Sequence, residues 1–252
     1  MTYRSEKSDA LLKELNEVQA NYNQIGLEDA FSGTVGNPNK DLDLYFEHGH
    51  QQIAGILSTG QKLGINPTNG KALDFGCGIG RVTRTLAKQF DEVHGLDISP
   101  SMIALANDYN ANPVKCHFHL HCDYQLELFA DDFFDLIVGI NIFRYISPAL
   151  SEAYVREFIR LVKPGGLVYF ETSEAVFWRR VFPEFLFRIY RKFKHWQNSG
   201  PRRQDRFHFS EERMRAIISE AGGQVLRVEA APSPTLWRHL SFFVTKCDIP
   251  AK

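Results

Sequence analysis

The 252-residue chain is poor in cysteine, with only Cys77, Cys116, Cys122 and Cys247 and no CxxC pair among them. Four such residues are too few for a disulfide scaffold, so reduced thiols in a cytoplasm are the expectation. Long apolar runs are missing too. No stretch approaches the roughly 18 residues that would cross a bilayer, and the opening MTYRSEKSDALLKELNEV is polar where a signal peptide would be apolar. A soluble, cytoplasmic protein without a membrane span is therefore expected. There is no excess of either charge, because 29 Lys and Arg face 30 Asp and Glu, a net charge of -1. Nothing global then draws the chain to nucleic acid or anionic lipid. No internal repeat is visible. What is present is a composition 44% hydrophobic, which excludes a disordered chain, and a length that suits one α/β domain with an extension.

Hydrophobic periodicity divides the chain at about residue 65. Apolar residues at helical spacing from Leu11 to Val18, a break at Ser32 to Lys40, and a second helical stretch from Leu42 to Leu63 make residues 1–65 a helical extension. Strands and helices then alternate through 66–252. Strands are expected at Ala72–Phe75, Glu92–Leu96, Lys115–Cys122, Phe134–Ile140, Leu167–Glu171, Val225–Val228 and Leu240–Thr245. Helices are expected at Val82–Phe90, Pro100–Asn110, Leu150–Leu161 and Ser210–Ala221. Such alternation builds an α/β, Rossmann-like three-layer sandwich around a mostly parallel sheet. The rhythm lapses at about 175–209, which reads as an insertion.

The sharpest local feature is Ala72-Leu73-Asp74-Phe75-Gly76-Cys77-Gly78-Ile79-Gly80-Arg81, a buried strand running into three alternate glycines and then a helix. Glycines let the backbone turn tightly and lie bare against a ligand. Dinucleotide sites place the third glycine one residue later, and Asp74 would set a carboxylate where a pyrophosphate must lie. The turn therefore favours a cationic or amine-bearing ligand. Asp97, at the end of the next strand and about 20 residues on, is placed to accept the hydroxyls of a ribose. Taken alone, Asp97 or Ser99 could instead cap the helix that opens at Pro100.

With these residues in hand, the chain resembles the class I S-adenosylmethionine-dependent methyltransferases from about Lys71 to Val228. Four segments agree in order: Leu73 to Gly80, Gly95 to Met102, Phe134 to Val138, and Leu161 to Gly166. The resemblance implies a seven-stranded sheet with an antiparallel last strand, and S-adenosylmethionine as cofactor. It assigns the cofactor to Asp74, Gly76, Gly78, Gly80, Asp97, Ile98, Met102, Asp123, Tyr124 and Asn141, with Asp97 on the ribose and Asp123 on the adenine amino group. It also implies that the extension and the insertion cover the acceptor. The acceptor wall is expected from Asn141, Phe143, Tyr145, Trp178 and His208, and His208, Tyr145 and His48 are the candidates for a base, although many relatives carry a paired histidine at the positions of Arg144 and Tyr145.

Methyl transfer is an in-line displacement that needs positioning more than a covalent nucleophile, so a small-molecule acceptor methylated on O or N is expected. Rival readings are a nicotinamide-dependent oxidoreductase and a non-catalytic partner subunit. The run Cys116-His117-Phe118-His119-Leu120-His121-Cys122 invites a metal, but alternation is what a strand with one exposed face shows, so no metal is assigned. The interval Phe177–Arg206 mixes aromatics with cations. It reads as a lid, with a lipid-like or quinone acceptor, weak surface association with a membrane, or RNA binding as alternatives.

Overall fold

A computed structural model describes residues 3–34, 41–175, 207, 209–231 and 237–247. The expected insertion, with Trp178 and His208, lies almost wholly outside the described residues.

The chain begins with two helices, α1 (Tyr3–Thr34), kinked at Asp29, and α2 (Leu42–Lys62). The Asp41 carboxylate accepts the N–H of Leu44 and so caps α2. The alternation then runs β1 (Lys71–Phe75), α3 (Arg81–Leu86), β2 (Glu92–Asp97), α4 (Pro100–Asp108), β3 (Cys116–Leu120), β4 (Phe134–Gly139), α5 (Pro148–Leu161) and β5 (Val162–Ala175). It ends with α6 (Glu211–Glu220), β6 (Gly223–Ala231) and β7 (Trp237–Lys246). The seven strands form one sheet in the order β3-β2-β1-β4-β5-β7-β6. β7 runs antiparallel to both β5 and β6, and the other pairings are parallel.

The period of two along the strands explains the three layers. Leu73, Phe75, Ile137, Val168, Phe170, Phe242 and Val244 point to one face, where α1, α5 and α6 pack with Leu15, Val18, Phe158 and Ile217. Ala72, Leu136, Val138, Leu167, Tyr169 and Phe243 point to the other, against Ile53, Ile56, Val82 and Leu86 of α2 and α3. Because both faces are covered, β4 is buried along its whole length. The extension is thus part of the core rather than an appendage.

Two expectations are corrected. The helix read at Val82–Phe90 is only Arg81–Leu86, because the chain then tightens into turns, Lys88 N–H to Thr85 O and Gln89 N–H to Leu86 O. The strand expected at Leu167–Glu171 begins earlier, so the Lys163 to Gly166 segment already belongs to β5. Val162 pairs with Phe134 and Pro164 with Lys246, and the residues between are absorbed as a bulge with Gly165 at φ 73°.

Candidate functional site

The site begins with the glycine turn. Gly76 and Cys77 both donate their N–H groups to Leu96 O, at 2.7 and 2.9 Å, which ties the turn to β2. Gly76, Gly78 and Gly80 all have positive φ, 77°, 54° and 86°. At two of them the space also demands glycine: a Cβ on Gly76 would stand 2.1 Å from Cδ1 of Ile142, and one on Gly80 would stand 2.8 Å from Cζ of Phe118.

Asp97 closes the next corner. Its Oδ2 accepts Gly78 N–H and its Oδ1 accepts Ser99 N–H, each at 2.9 Å. The helix cap that the sequence left open between Asp97 and Ser99 falls to Ser99, whose Oγ accepts Met102 N–H with Pro100 at the first helical position. Asp97 is thereby left facing the cleft. Burial pushes its carboxyl above the ordinary carboxylate range, while the Ser99 and Gly78 N–H groups hold it back.

The cleft has about 580 Å³ of space, counting the part open to solvent. It is walled by Phe75, Gly76, Leu96, Asp97 and Ile98 from the ends of β1 and β2, by His121 beyond β3, and by Ile142, Tyr145 and Ile146 beyond β4. Tyr154 of α5 and Leu15, Val18 and Tyr22 of α1 complete it, and Asp97 is the only carboxylate among these lining residues. Tyr22 meets Tyr145 edge to face at 5.9 Å. Burial, reinforced by Tyr145 and the Asp97 carboxylate, drives the Tyr22 phenol far above its usual range, so it stays protonated.

Hydrogen bonds hold α1 over this cleft. Gln19 Nε2 donates to Ile98 O at 2.9 Å, Asn23 Oδ1 accepts Ser101 N–H at 3.0 Å, and Ser99 Oγ donates to Tyr22 O at 3.3 Å. Glu14 accepts Ser147 N–H at 2.6 Å, where α5 begins.

The other expected site residues are distributed differently. Asp74 is buried behind the glycine turn, not on the cleft wall, and takes the Thr83 hydroxyl at 2.7 Å. Burial raises its carboxyl to about 6, partly countered by Thr83 and Arg81. Met102 packs with Ala30, Tyr45 and Ile79 in the core. Phe143 is also core, ringed by Phe158 and Phe170, because the chain after β4 turns it inward and leaves Ile142 on the wall. Asp123 is exposed, and its Oδ1 caps the following turn through Gln125 N–H at 3.1 Å. Tyr124 bonds Ser8 at 2.7 Å, and Asn141, at φ 63°, shapes the bend after β4; none of the three lines the cleft. Leu15, Val18, Tyr22 and Ile146 were not singled out from sequence as site residues, and His121 was met only in the histidine run. For the α1 residues the signal was the helical apolar spacing, which marks burial without saying what is buried against.

On the histidine strand His117 and His119 are half-buried and Leu120 is exposed, so the face expected to be open is partly covered. Phe118 fills the space at Gly80 and Gly95, while His119 stacks on His94 at 5.2 Å beneath Phe129. Among the described residues no group of three or more His, Cys, Asp or Glu could hold a metal ion.

A parallel sheet in this order, with an antiparallel β7 and a glycine turn facing an acid on the next strand, defines the class I methyltransferase fold. Comparison with known proteins agrees at the level of sequence: residues 72–166 match the family model described as a methyltransferase domain. It is 31% identical to a 2-methyl-6-phytyl-1,4-hydroquinone methyltransferase of Synechocystis sp. over 105 residues, 40% of this chain and 31% of that protein. It is 28% identical to a ubiquinone biosynthesis O-methyltransferase of Coxiella burnetii over 129 residues, 49% of this chain and 53% of that protein. The chain thus spans about half or less of these relatives. A magnesium protoporphyrin IX methyltransferase from Synechocystis, crystallised with bound S-adenosylhomocysteine, shares the fold with a TM-score of 0.66 at 17% identity, covering 92% of this chain and 99% of that one. Among the described residues no helix is long and apolar enough to cross a membrane.

Proposed function

We propose that this chain is an S-adenosylmethionine-dependent methyltransferase acting on the O or N atom of a small, largely apolar acceptor. The observation that carries the reading is Asp97, one carboxylate fixed between two main-chain N–H groups at the edge of an otherwise apolar cleft. The residues present fit the cofactor. Each Asp97 oxygen already accepts one N–H and keeps a second lone pair for a ribose hydroxyl. Ile98 offers an apolar surface for a base, and the bare turn at Gly76 offers main chain to the amino-acid arm.

When bound, S-adenosylmethionine supplies a sulfonium methyl group as the electrophile. The protein's task is to orient and to exclude water. Asp97 fixes the sugar, while Leu15 and Val18 of α1 keep solvent from the wall and Tyr145 and Ile142 bound the side beyond β4. Holding two reactants in line contributes about 7 to 11 kcal/mol to such reactions. Tyr22 keeps its proton, so it is suited to donate a hydrogen bond and not to act as a base. An acceptor that is a phenolate or free amine at working pH needs no base. Among the described residues the lining of the cleft includes no lysine or arginine, and that favours a quinol-like or other lipid-like molecule, the class named in the two curated relatives.

Calorimetry with S-adenosylhomocysteine tests the first half of the proposal. Asp97→Ala is expected to raise Kd about 100-fold or more, since two charge-assisted hydrogen bonds at about 1.5 kcal/mol or more each are lost. A labelled-methyl screen over hydroquinones, phenols and amines tests the second. Absence of binding to the native protein would overturn the reading.

A further inference from the structure

One cluster of buried titratable side chains has no task in the reading above. His94 of β2 is 7% exposed, and both of its ring nitrogens are engaged, Nε2 with Glu92 Oε1 at 2.7 Å and Nδ1 with His119 Nε2 at 3.0 Å. The partners fix where the hydrogens lie. Glu92 also takes the Lys71 ammonium at 2.7 Å, which together with His94 holds its carboxyl below the usual range, so Glu92 only accepts. His94 Nε2 must then carry a hydrogen, Nδ1 of the neutral ring is bare, and His119 Nε2 donates to it. A second proton on His94 would set two N–H groups head to head and break the link to His119.

The cluster is roofed by the segment that crosses from β3 to β4. Phe129 stands edge-on to His94 at 5.0 Å and to His119 at 6.0 Å, and Phe133 meets His94 at 5.9 Å while the Lys71 ammonium lies 4.2 Å from its ring. On its other side the segment is tied to α5, where Leu126 N–H donates to Glu157 at 2.7 Å and Arg160 donates to Leu126 O and Phe129 O. We infer that Glu92, His94 and His119 form a proton-sensitive latch, which holds residues 121–133 on the sheet while both rings are neutral and releases them when acid charges the rings. The latch is independent of what the cleft binds. Because the segment starts at His121 on the cleft wall, its release loosens the β3 side of the cleft.

The titratable and charged groups that face the two rings are Lys71, Glu92, His117 and His121, three bases against one carboxylate. The rings laid over them by the segment and by β4, those of Phe129, Phe133 and Phe134, carry no charge. Burial lowers the affinity of both histidines for a further proton, reinforced at His119 by its histidine neighbours and opposed at His94 by Glu92. A histidine held below its unfolded value of about 6.5 costs nothing well above that pH. As the pH falls through 6.5 the opened segment gains protons that the closed one lacks, and the penalty is complete below the folded value.

Hydrogen exchange of the full chain, followed by mass spectrometry and corrected for the intrinsic rate, reads this opening. Between about pH 7.5 and about pH 5.5, protection of peptides from residues 121–133 is expected to fall about tenfold, and that of peptides from β5 and β7 less than about twofold. His119→Gln keeps an amide N–H for His94 Nδ1 and removes one titrating ring, and His94→Gln keeps an N–H for Glu92 and removes the other. Each is expected to cut the fall to about threefold. Since each variant is read against itself at two pH values, a uniform loss of stability does not imitate this result, and if His94→Gln fails to fold, His119→Gln alone decides. Unchanged protection in the native protein, an equal fall in β5 and β7, or an undiminished fall in His119→Gln would overturn the latch.

Discussion

Two carboxylates close in space have been given different tasks by their surroundings. Asp97 takes main-chain N–H groups and faces the cleft, whereas Asp74, 2% exposed, is enclosed behind the turn with the Thr83 hydroxyl as partner. Enclosure raises the Asp74 carboxyl from 3.8 to about 6. A carboxyl raised in the folded state favours folding while protonated, so its contribution is full below about 3.8 and is lost as the pH rises through about 6. Asp74→Asn keeps an acceptor for Thr83 without the charge. Thermal melts at pH 5 and pH 8 are expected to show the variant gaining on the native protein by roughly 1 kcal/mol between the two. A gain independent of pH would show that the folded state does not raise the Asp74 carboxyl. Since Asp74 does not line the cleft, the same variant is expected to change S-adenosylhomocysteine affinity far less than Asp97→Ala.

At the scale of elements, α1 decides whether the cleft is a cavity or an open ledge. It contributes Leu15, Val18 and Tyr22 to the wall, and a few hydrogen bonds from Gln19 and Asn23 set its register on the segment that follows β2. Asn23→Ala removes the acceptor of Ser101 N–H, a loss of about 1 kcal/mol. Trypsin cleavage after the exposed Lys13 requires α1 to open locally, so its rate in the variant is expected to rise about fivefold, and saturating S-adenosylhomocysteine is expected to suppress the rise. An unchanged rate would mean that the apolar face of the helix holds it unaided. The strand β3 teaches a related lesson. Its alternation of His with Cys, Phe and Leu marks two faces, but which face meets solvent depends on the chain that crosses it, here the segment carrying Phe129 and Phe133.

Across the whole molecule, Asp135 joins the start of β1, the interior of β4 and the bulge of β5. Its carboxylate accepts Lys71 N–H at 2.8 Å, the Lys163 ammonium at 2.8 Å and the Thr68 hydroxyl. Burial alone would raise its carboxyl, but Lys163, Thr68 and Lys71 N–H together outweigh that and hold it below the usual range. A carboxyl lowered on folding stabilises above its unfolded value and loses that effect as the pH falls through the folded one. Asp135→Ala is expected to cost about 3 kcal/mol at pH 7, or roughly 6 to 12 °C in Tm, and the gap to the native protein is expected to narrow below about pH 4. Equal destabilisation at pH 7 and pH 3 would show that packing, not charge, is what the residue supplies.

The sheet, the glycine turn and its neighbouring acid were legible in the residues themselves. Period-two and helical spacing placed the seven strands near their observed positions, and the alternate glycines with Asp97 marked the two corners, because backbone freedom and strand-end placement are local properties. Boundaries were less legible: the bulge at Lys163 to Gly166 depends on pairing with Lys246, more than 80 residues away. The wall of the cleft was hardest to read. Phe143 and Ile142 are adjacent apolar residues, yet one is core and the other lines the cleft, and Met102 and Leu15 divide in the opposite sense from what a local pattern suggests. The sequence by itself determined the layer order of the fold, the turn and its neighbouring acid, since those follow from periodicity and glycine. Only the tertiary structure decided which of Asp74, Asp97 and Asp123 lines the cleft, because burial and hydrogen-bond partners come from elements distant in the chain.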